Sequence, residues 1–255
     1  MITIRNLWKK FGKHQVMAGL DLDVKTGETL VILGPSGIGK SVLLKHIIGI
    51  LKPDQGTIDI DQVRISELEG ADLYQNIHHM GMLFQGGAMF DSMTVAENTA
   101  FYLNQHGHLL SKYEIEDRVS HALEMVGLAG TQKKMPSELS GGMRKRAALA
   151  RLIVYRPRIL LYDEPTTGLD PIIAMQINEL IVKMQEELKA TSIVVTHDMF
   201  SALYVGDRLA LIRDGKIAHI DEPEPFVQID DPLIKFLHCS ISQDPRTMKE
   251  KNHHG

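Results

Sequence analysis

The sequence predicts an α/β fold in which a mostly parallel sheet, with an antiparallel portion near the N-terminus, is interrupted by an inserted helical subdomain. Continuous apolar runs at residues 29–33, 159–162 and 192–196 have the composition of strands covered on both faces. Residues 2–33 are short alternating or apolar stretches broken by Lys- and Gly-containing turns, the texture of several strands. Between about 86 and 154 the pattern changes to capped, amphipathic helices.

Taken in order, Phe11-Gly12-Lys13 and Lys25-Thr26-Gly27-Glu28 are the first turn signals. The run at 29–33 then enters Gly34-Pro35-Ser36-Gly37-Ile38-Gly39-Lys40-Ser41, and residues 42–48 read as the helix that follows. A glycine-rich bend between buried strand and helix is the setting of a phosphate-binding P-loop. The glycines at 34, 37 and 39 let the backbone curl until successive N–H groups point inward, and the helix N-terminus adds positive partial charge. Lys40 is placed to reach the β- and γ-phosphates of a bound nucleotide. Ser41 offers the hard oxygen that Mg²⁺ prefers. The expectation is a P-loop NTPase core that binds nucleotide from Gly34 through Val42.

Next, Lys52-Pro53-Asp54-Gln55-Gly56 is a turn signal and residues 57–61 alternate as a half-exposed strand. Residues 80–84 read as a buried strand ending at Gln85. Thr94 with Glu97, and Ser111 with Glu114, fit the capping box that opens a helix. The second of these helices carries Ile115, Val119, Ala122, Leu123 and Val126 on one face and stops at Gly127. After the strand at 159–162, Asp170-Pro171 reads as N-cap and first turn of a helix striped by Ile173, Ile177, Leu180, Ile181, Met184 and Leu188. Residues 192–196 lead to His197, and 209–218 form a hairpin about a tight Asp214-Gly215 turn. The expected organisation is one domain over 1–241: a core of 1–85 and 155–222, helices over 86–154 and a C-terminal segment over 223–241. A polar, mobile tail over 242–255 follows.

Composition narrows the function. A formal net charge of −4 gives no global basic field for nucleic acid. No apolar run approaches the ~20 residues of a membrane-spanning helix, and the first residues lack the layout of a secretory signal. Cys239 is the only cysteine, which excludes an internal disulfide or a cysteine metal cluster and suits a reducing cytoplasm. The histidines lack metal-ligand spacing and are expected at the surface.

Several groups have the addresses that chemistry needs. Asp163-Glu164 ends a buried strand, where open α/β sheets bind their ligands. Asp163 suits a Mg²⁺-holding role, and Glu164 suits orienting or deprotonating the attacking water. His197 has the same address one strand over, suited to a hydrogen bond to the γ-phosphate, although a histidine after a strand is more often structural. Gln85 can touch both Mg²⁺ and the attacking water, or simply end its strand. Leu139-Ser140-Gly141-Gly142-Met143 precedes a helix with Arg144, Lys145 and Arg146 in its first turn, where cations oppose the helix dipole. An anion docking on Ser140, Gly141 and Gly142 would relieve that conflict; a basic solvated face after a flexible turn is the plainer alternative.

In combination these residues resemble the ATPase subunits of ABC transporters, whose motifs stand in the same order: the P-loop, Gln85, the signature 139–142, the run 159–164, the loop 168–170 and His197. The resemblance covers nearly the whole chain. It implies ATP and Mg²⁺ as cofactors, hydrolysis of ATP, and a head-to-tail homodimer in which the signature of one subunit closes on the nucleotide of the other. It also implies that Phe11 stacks on adenine and that Asp170 belongs to the site. Residues 84–95, 139–143, 146–151 and 231–237 are similar to the lipid-transport branch, the ATPases of maintenance-of-lipid-asymmetry systems, also described as toluene tolerance. Met143 replaces the family's commoner Gln, as in that branch. That likeness implies an integral membrane permease, a lipid-binding substrate protein and a peripheral place on the cytoplasmic face of the inner membrane. Phospholipid or a related lipid as cargo is implied by resemblance alone, and another small-molecule cargo is the alternative. Soluble relatives acting on DNA or ribosomes usually carry a second cassette, a coiled-coil insertion or zinc cysteines, so no nucleic-acid partner is expected.

Overall fold

The computed structural model describes residues 2–106 and 110–242, with side chains through His238. The tail expected from Ser242 therefore lies outside the described residues, except Ser242 itself, which ends a helix.

Two sheets form. β1 (Ile2–Phe11) and β2 (His14–Val24) pair antiparallel and continue through β4 (Gln55–Ile60) to β5 (Val63–Arg64), in the order β2-β1-β4-β5. The second sheet has the order β10-β9-β3-β8-β7-β6, built from β3 (Thr29–Leu33), β6 (Met80–Leu83), β7 (Ile159–Asp163), β8 (Thr191–Thr196), β9 (Arg208–Arg213) and β10 (Lys216–Asp221). All its neighbours run parallel except the hairpin partner β10. The antiparallel N-terminal strands thus make a separate layer and do not extend the parallel sheet.

Burial on both faces explains the uninterrupted apolar runs. Leu30 and Ile32 of β3 join Ile4, Leu20 and Leu22 of the antiparallel sheet and Leu43, Leu44 and Ile47 of α1 (Lys40–Ile47). Val31 and Leu33, on the opposite face, pack with Ile177, Ile181 and Met184 of α6 (Pro171–Leu188) and with Ala202 and Val205 of α7 (Met199–Val205). Successive residues of the strand serve two cores, so Leu30 through Leu33 are all apolar.

Beyond β6, residues 86–94 are loop, and helix begins at α3 (Val95–His106), followed by α4 (Lys112–Met125) and α5 (Gly141–Ile153). Both expected capping boxes close: the Thr94 N–H donates to Glu97 at 2.7 Å and the Ser111 N–H to Glu114 at 2.7 Å, with return bonds to each hydroxyl. Asp170 caps α6 through the N–H groups of Ile172 and Ile173. The Asp214-Gly215 turn has φ of 50° and 71°, the two positive values a type I′ hairpin requires. The sequence reading did not anticipate α2 (Gly70–Ile77), which buries no residue fully and meets the core through half-buried Leu73 and Ile77. His46 corrects the expectation of surface histidines: it is 1% exposed inside α1, its Nδ1 donates to Val42 O at 2.7 Å, and burial lowers its pKa.

After α8 (Pro223–Val227), the C-terminal α9 (Pro232–Ser242) is fixed through Asp231. Its carboxylate accepts from Arg213 Nη1 at 2.6 Å, from His219 Nε2 at 3.1 Å and from the N–H groups of Leu233 and Ile234 at the start of α9. Burial alone would raise its pKa, but these donors outweigh it and hold the carboxyl at about 2, against an ordinary value of 3.8. A depressed carboxylate pKa contributes stability above the unfolded value and loses it as pH falls through the folded one. Amide protection over 232–238, taken relative to the intrinsic exchange rate at each pH, should therefore fall as pH drops from about 4 to about 2. Asp231→Ala should lower stability by about 2 kcal/mol at neutral pH, measured by denaturant unfolding, because it removes a helix cap and charged hydrogen bonds together.

Candidate functional site

The parallel sheet sets the site. β3, β8, β7 and β6 are adjacent, and their ladders end nearly level: Leu33 opposite Thr196, Asp163 opposite Val195, Leu83 opposite Tyr162. Whatever follows each strand emerges along one edge. Those followers are the P-loop, His197, Glu164 and Gln85.

In the P-loop, Gly37 and Gly39 take φ of 81° and 109°, where a side chain would be strained. Gly34 serves differently, since a Cβ there would meet Ile212 Cγ2 at 2.7 Å. Lys40 is 5% exposed, and its ammonium donates to Gly34 O at 2.6 Å and Pro35 O at 3.0 Å while pairing with Glu164 Oε1 at 3.1 Å. Ser41 Oγ donates to Asp163 Oδ1 at 2.6 Å. Two bonds thus join the start of α1 to the end of β7.

Glu164 has φ of 48°, a left-handed value for a non-glycine residue, which costs of order 1–3 kcal/mol and persists only where contacts over-determine it. Its N–H donates to Val195 O at 2.9 Å, and its Oε2 accepts from Thr167 Oγ1 and from His197 Nδ1, each at 2.9 Å. Burial pushes the Glu164 pKa up, but Lys40, Thr167 and His197 together hold it below the usual carboxylate value. The carboxylate is charged and oriented by three neighbours. A carboxylate only accepts, so the His197 proton in this bond sits on Nδ1.

Ser36, Gly37, Gly39, Lys40, Ser41, Val42, Gln85, Glu164, Thr167 and His197 line one open cleft of about 230 Å³. Thr167 was not singled out in the sequence; its position three residues beyond Glu164, facing back toward it, was the available signal. Ser41 and Asp163, two hard-oxygen groups in contact at the cleft, suit Mg²⁺, which is bound by one or two protein oxygens together with substrate phosphates.

The remaining candidates lie apart from this cleft. Phe11 ends β1, is 47% exposed, and has the Lys9 ammonium 5.7 Å from its ring. Asp170 is spent on capping α6. The signature sits at the N-terminus of α5, where Ser140 and Gly141 are exposed and Ser140 Oγ accepts the Met143 N–H at 3.3 Å. Gly142 is buried, and a Cβ on it would reach Ile173 Cγ2 at 2.8 Å. The expected row of three unrelieved cations is corrected. Lys145 is buried and donates to Gln85 O, Arg146 donates to Gln176 Oε1, and only Arg144 stays exposed.

A strand–loop–helix with a buried lysine, beside carboxylates on the next-but-one strand, defines a P-loop nucleotide-binding ATPase. The ABC transporter family profile matches residues 17–167. The chain is 43% identical, over 93% of its length and 90% of the relative's, to the intermembrane phospholipid transport system ATP-binding protein MlaF of Haemophilus influenzae. It is 41% identical, over 98% of its length and 74% of the relative's, to the probable ribonucleotide transport ATP-binding protein mkl of Mycobacterium leprae. Among solved structures it resembles the ATP-binding cassette MJ0796, a dimer in a post-hydrolysis state bound to ADP and Pi, with a TM-score of 0.80 at 32% identity, over 88% of this chain and 99% of that one. The chain belongs to the ABC transporter ATP-binding family and is an ATP hydrolase of that family.

Lys40 is the group whose loss the cleft can least absorb. Lys40→Ala should weaken MgATP binding by at least ~2 kcal/mol, the lower range for losing a buried charge-assisted contact, while wild-type affinity by calorimetry would remove Lys40 from nucleotide binding.

Proposed function

We propose that this protein is the ATPase subunit of a membrane transporter, dimerising head to tail on ATP and driving an integral permease whose cargo is phospholipid or a related lipid. What supports the dimer is separation: within one chain the nucleotide cleft includes neither Ser140 nor Gly141, although both are exposed at a helix N-terminus suited to phosphate. A second copy supplies what the first lacks. The MlaF relative supports lipid cargo, and the mkl relative, named for ribonucleotide transport, keeps a second cargo in view. No described helix is long and apolar enough to cross a membrane, so a transport role requires a separate spanning protein. The subunit would then sit on the cytoplasmic face of the inner membrane, with a lipid-binding substrate protein in the same system and no nucleic-acid partner.

In this reading residues 34–42 and Phe11 bind ATP, and Ser140, Gly141, Gly142 and Asp170 complete the site from the partner. Ser41, Asp163 and Gln85 would hold Mg²⁺, which when bound neutralises phosphate charge. Phosphate oxygens reaching Lys40 compete with Glu164 for the same ammonium, which ties nucleotide binding to release of the base. Glu164 then takes the proton of the attacking water while Thr167 fixes its orientation. With Nδ1–H given to Glu164, a hydrogen bond from His197 to the γ-phosphate needs a proton on Nε2 as well. The division of labour follows the expected boundaries: catalytic core 1–85 and 155–222, helices 86–154, and a C-terminal segment 223–241.

Glu164→Gln keeps size and hydrogen bonding but removes the base. It should bind MgATP, lose turnover by roughly 10² or more, and elute as a dimer; hydrolysis at the wild-type rate would take Glu164 out of the mechanism. Adding Ser140→Arg should spare binding at the P-loop yet return the protein to monomer.

The permease is proposed to dock on the helices between Gly86 and Ser137. An open groove of about 370 Å³ there is lined by Met82, Phe84, Phe90, Phe101, Tyr102 and Tyr155, with Phe90 41% exposed. Phe90→Ser should abolish copurification with an integral membrane protein and leave MgATP binding intact. Sedimentation with ribosomes or DNA, and no membrane partner in detergent extracts, would instead support a nucleic-acid role.

A further inference from the structure

The backbone after Gln85 is held from one side by the helix that carries the signature. Lys145 of α5, 6% exposed, donates to the Gln85 carbonyl at 2.6 Å. Further along α5, Arg151 donates through Nη1 to Ala88 O at 2.6 Å and through Nη2 to Gly87 O at 2.8 Å, with its guanidinium 5.7 Å from the Phe90 ring. Gly87 and Ala88 have φ of 75° and 47°, and the left-handed Ala88 needs partners to hold it. A Cβ on Gly87 would lie 3.3 Å from the Ala148 Cβ, so the loop rests directly on α5. Toward the sheet, the β6 ladder stops at Leu83, two residues before Gln85.

A buried ammonium is an expensive way to hold a carbonyl. Burial lowers the Lys145 pKa, against the opposing influence of Asp163 and Glu164. A methionine would fill the same space without that desolvation cost. What it would not do is bind the Gln85 backbone.

We propose that Lys145 and Arg151 are positioning residues that fasten the 85–88 backbone to α5, so that Gln85 takes its place in one nucleotide site from the helix whose N-terminus serves the other. This rests on the composite-site reading above. The two sites are then coupled inside each chain through a carbonyl-clamped loop, with the flexible joint between Leu83 and Gln85. A partner's nucleotide that moves α5 moves Gln85 with it.

Amide exchange in the full chain carrying Glu164→Gln tests this, with and without MgATP. Dimerisation on MgATP should slow exchange over 84–90 about tenfold. Adding Lys145→Met should remove that protection and leave the protection of 34–42 unchanged, and Lys145→Arg should restore it. With Glu164 intact, Lys145→Met should lower kcat about tenfold at unchanged ATP affinity, within the range of substitutions along coupling networks. Protection over 84–90 that survives Lys145→Met overturns the proposal, as does a loss matched at 34–42, which would mean general loosening. If Lys145→Met does not fold, Arg151→Met carries the same comparison, because a thioether side chain donates to neither carbonyl. Failure of the composite-site reading shows separately, as a Glu164→Gln, Ser140→Arg chain that still dimerises on MgATP.

Discussion

The constraint on which the molecule depends is the register of four parallel strands. Because β3, β8, β7 and β6 end within a residue or two of one another, chain segments far apart in sequence deliver Lys40, His197, Glu164 and Gln85 to one edge. A one-residue slip of β7 would turn Asp163 to the other face and break its contact with Ser41. Apolar burial on both faces enforces the register, since every residue of β3, β7 and β8 is buried. The chemistry at the edge is thus held by residues that take no part in it.

The site is also a balance of charges that cannot all be satisfied at once. Lys40 faces two carbonyls and a carboxylate, and that carboxylate faces Lys40, Thr167 and His197. Glu164 holds a strained backbone to keep this geometry. Under the proposed mechanism such a cluster would respond to an incoming anion: drawing Lys40 toward phosphate would remove the largest stabilising charge from Glu164 and leave a more basic carboxylate.

The candidate cleft was legible in the sequence because its parts are punctuated. Glycine spacing marks the P-loop, Asp163-Glu164 and His197 each follow an uninterrupted apolar run, and capping residues announce α3, α4 and α6. What escaped were features without periodicity or with ambiguous charge. α2 buries nothing fully, and His46 is a polar residue turned inward to satisfy one backbone carbonyl. Arg144, Lys145 and Arg146 are adjacent and chemically alike, yet helical rotation sends the first to solvent, the second to the Gln85 carbonyl and the third to Gln176. Sequence spacing gives the angle between them but not which direction is inward, and that depends on where the loop at 85–88 and α6 lie.

The same contrast bears on why cargo is harder to read than catalysis. The residues that handle phosphate are fixed by the chemistry of one ligand, so their spacing is constrained and recognisable. Those that meet a permease need only present an apolar, well-packed surface to another protein. In this chain the surface proposed for that contact is the aromatic groove about Phe90, Phe101, Tyr102 and Tyr155, with Asn98 pinning its rim by bonding both the N–H and the carbonyl of Phe90. Arg151 touches both worlds, lining the groove while clamping the loop that begins at Gln85. A partner seated there would press on the loop that α5 holds, so its effect on catalysis would be mechanical and independent of what it carries.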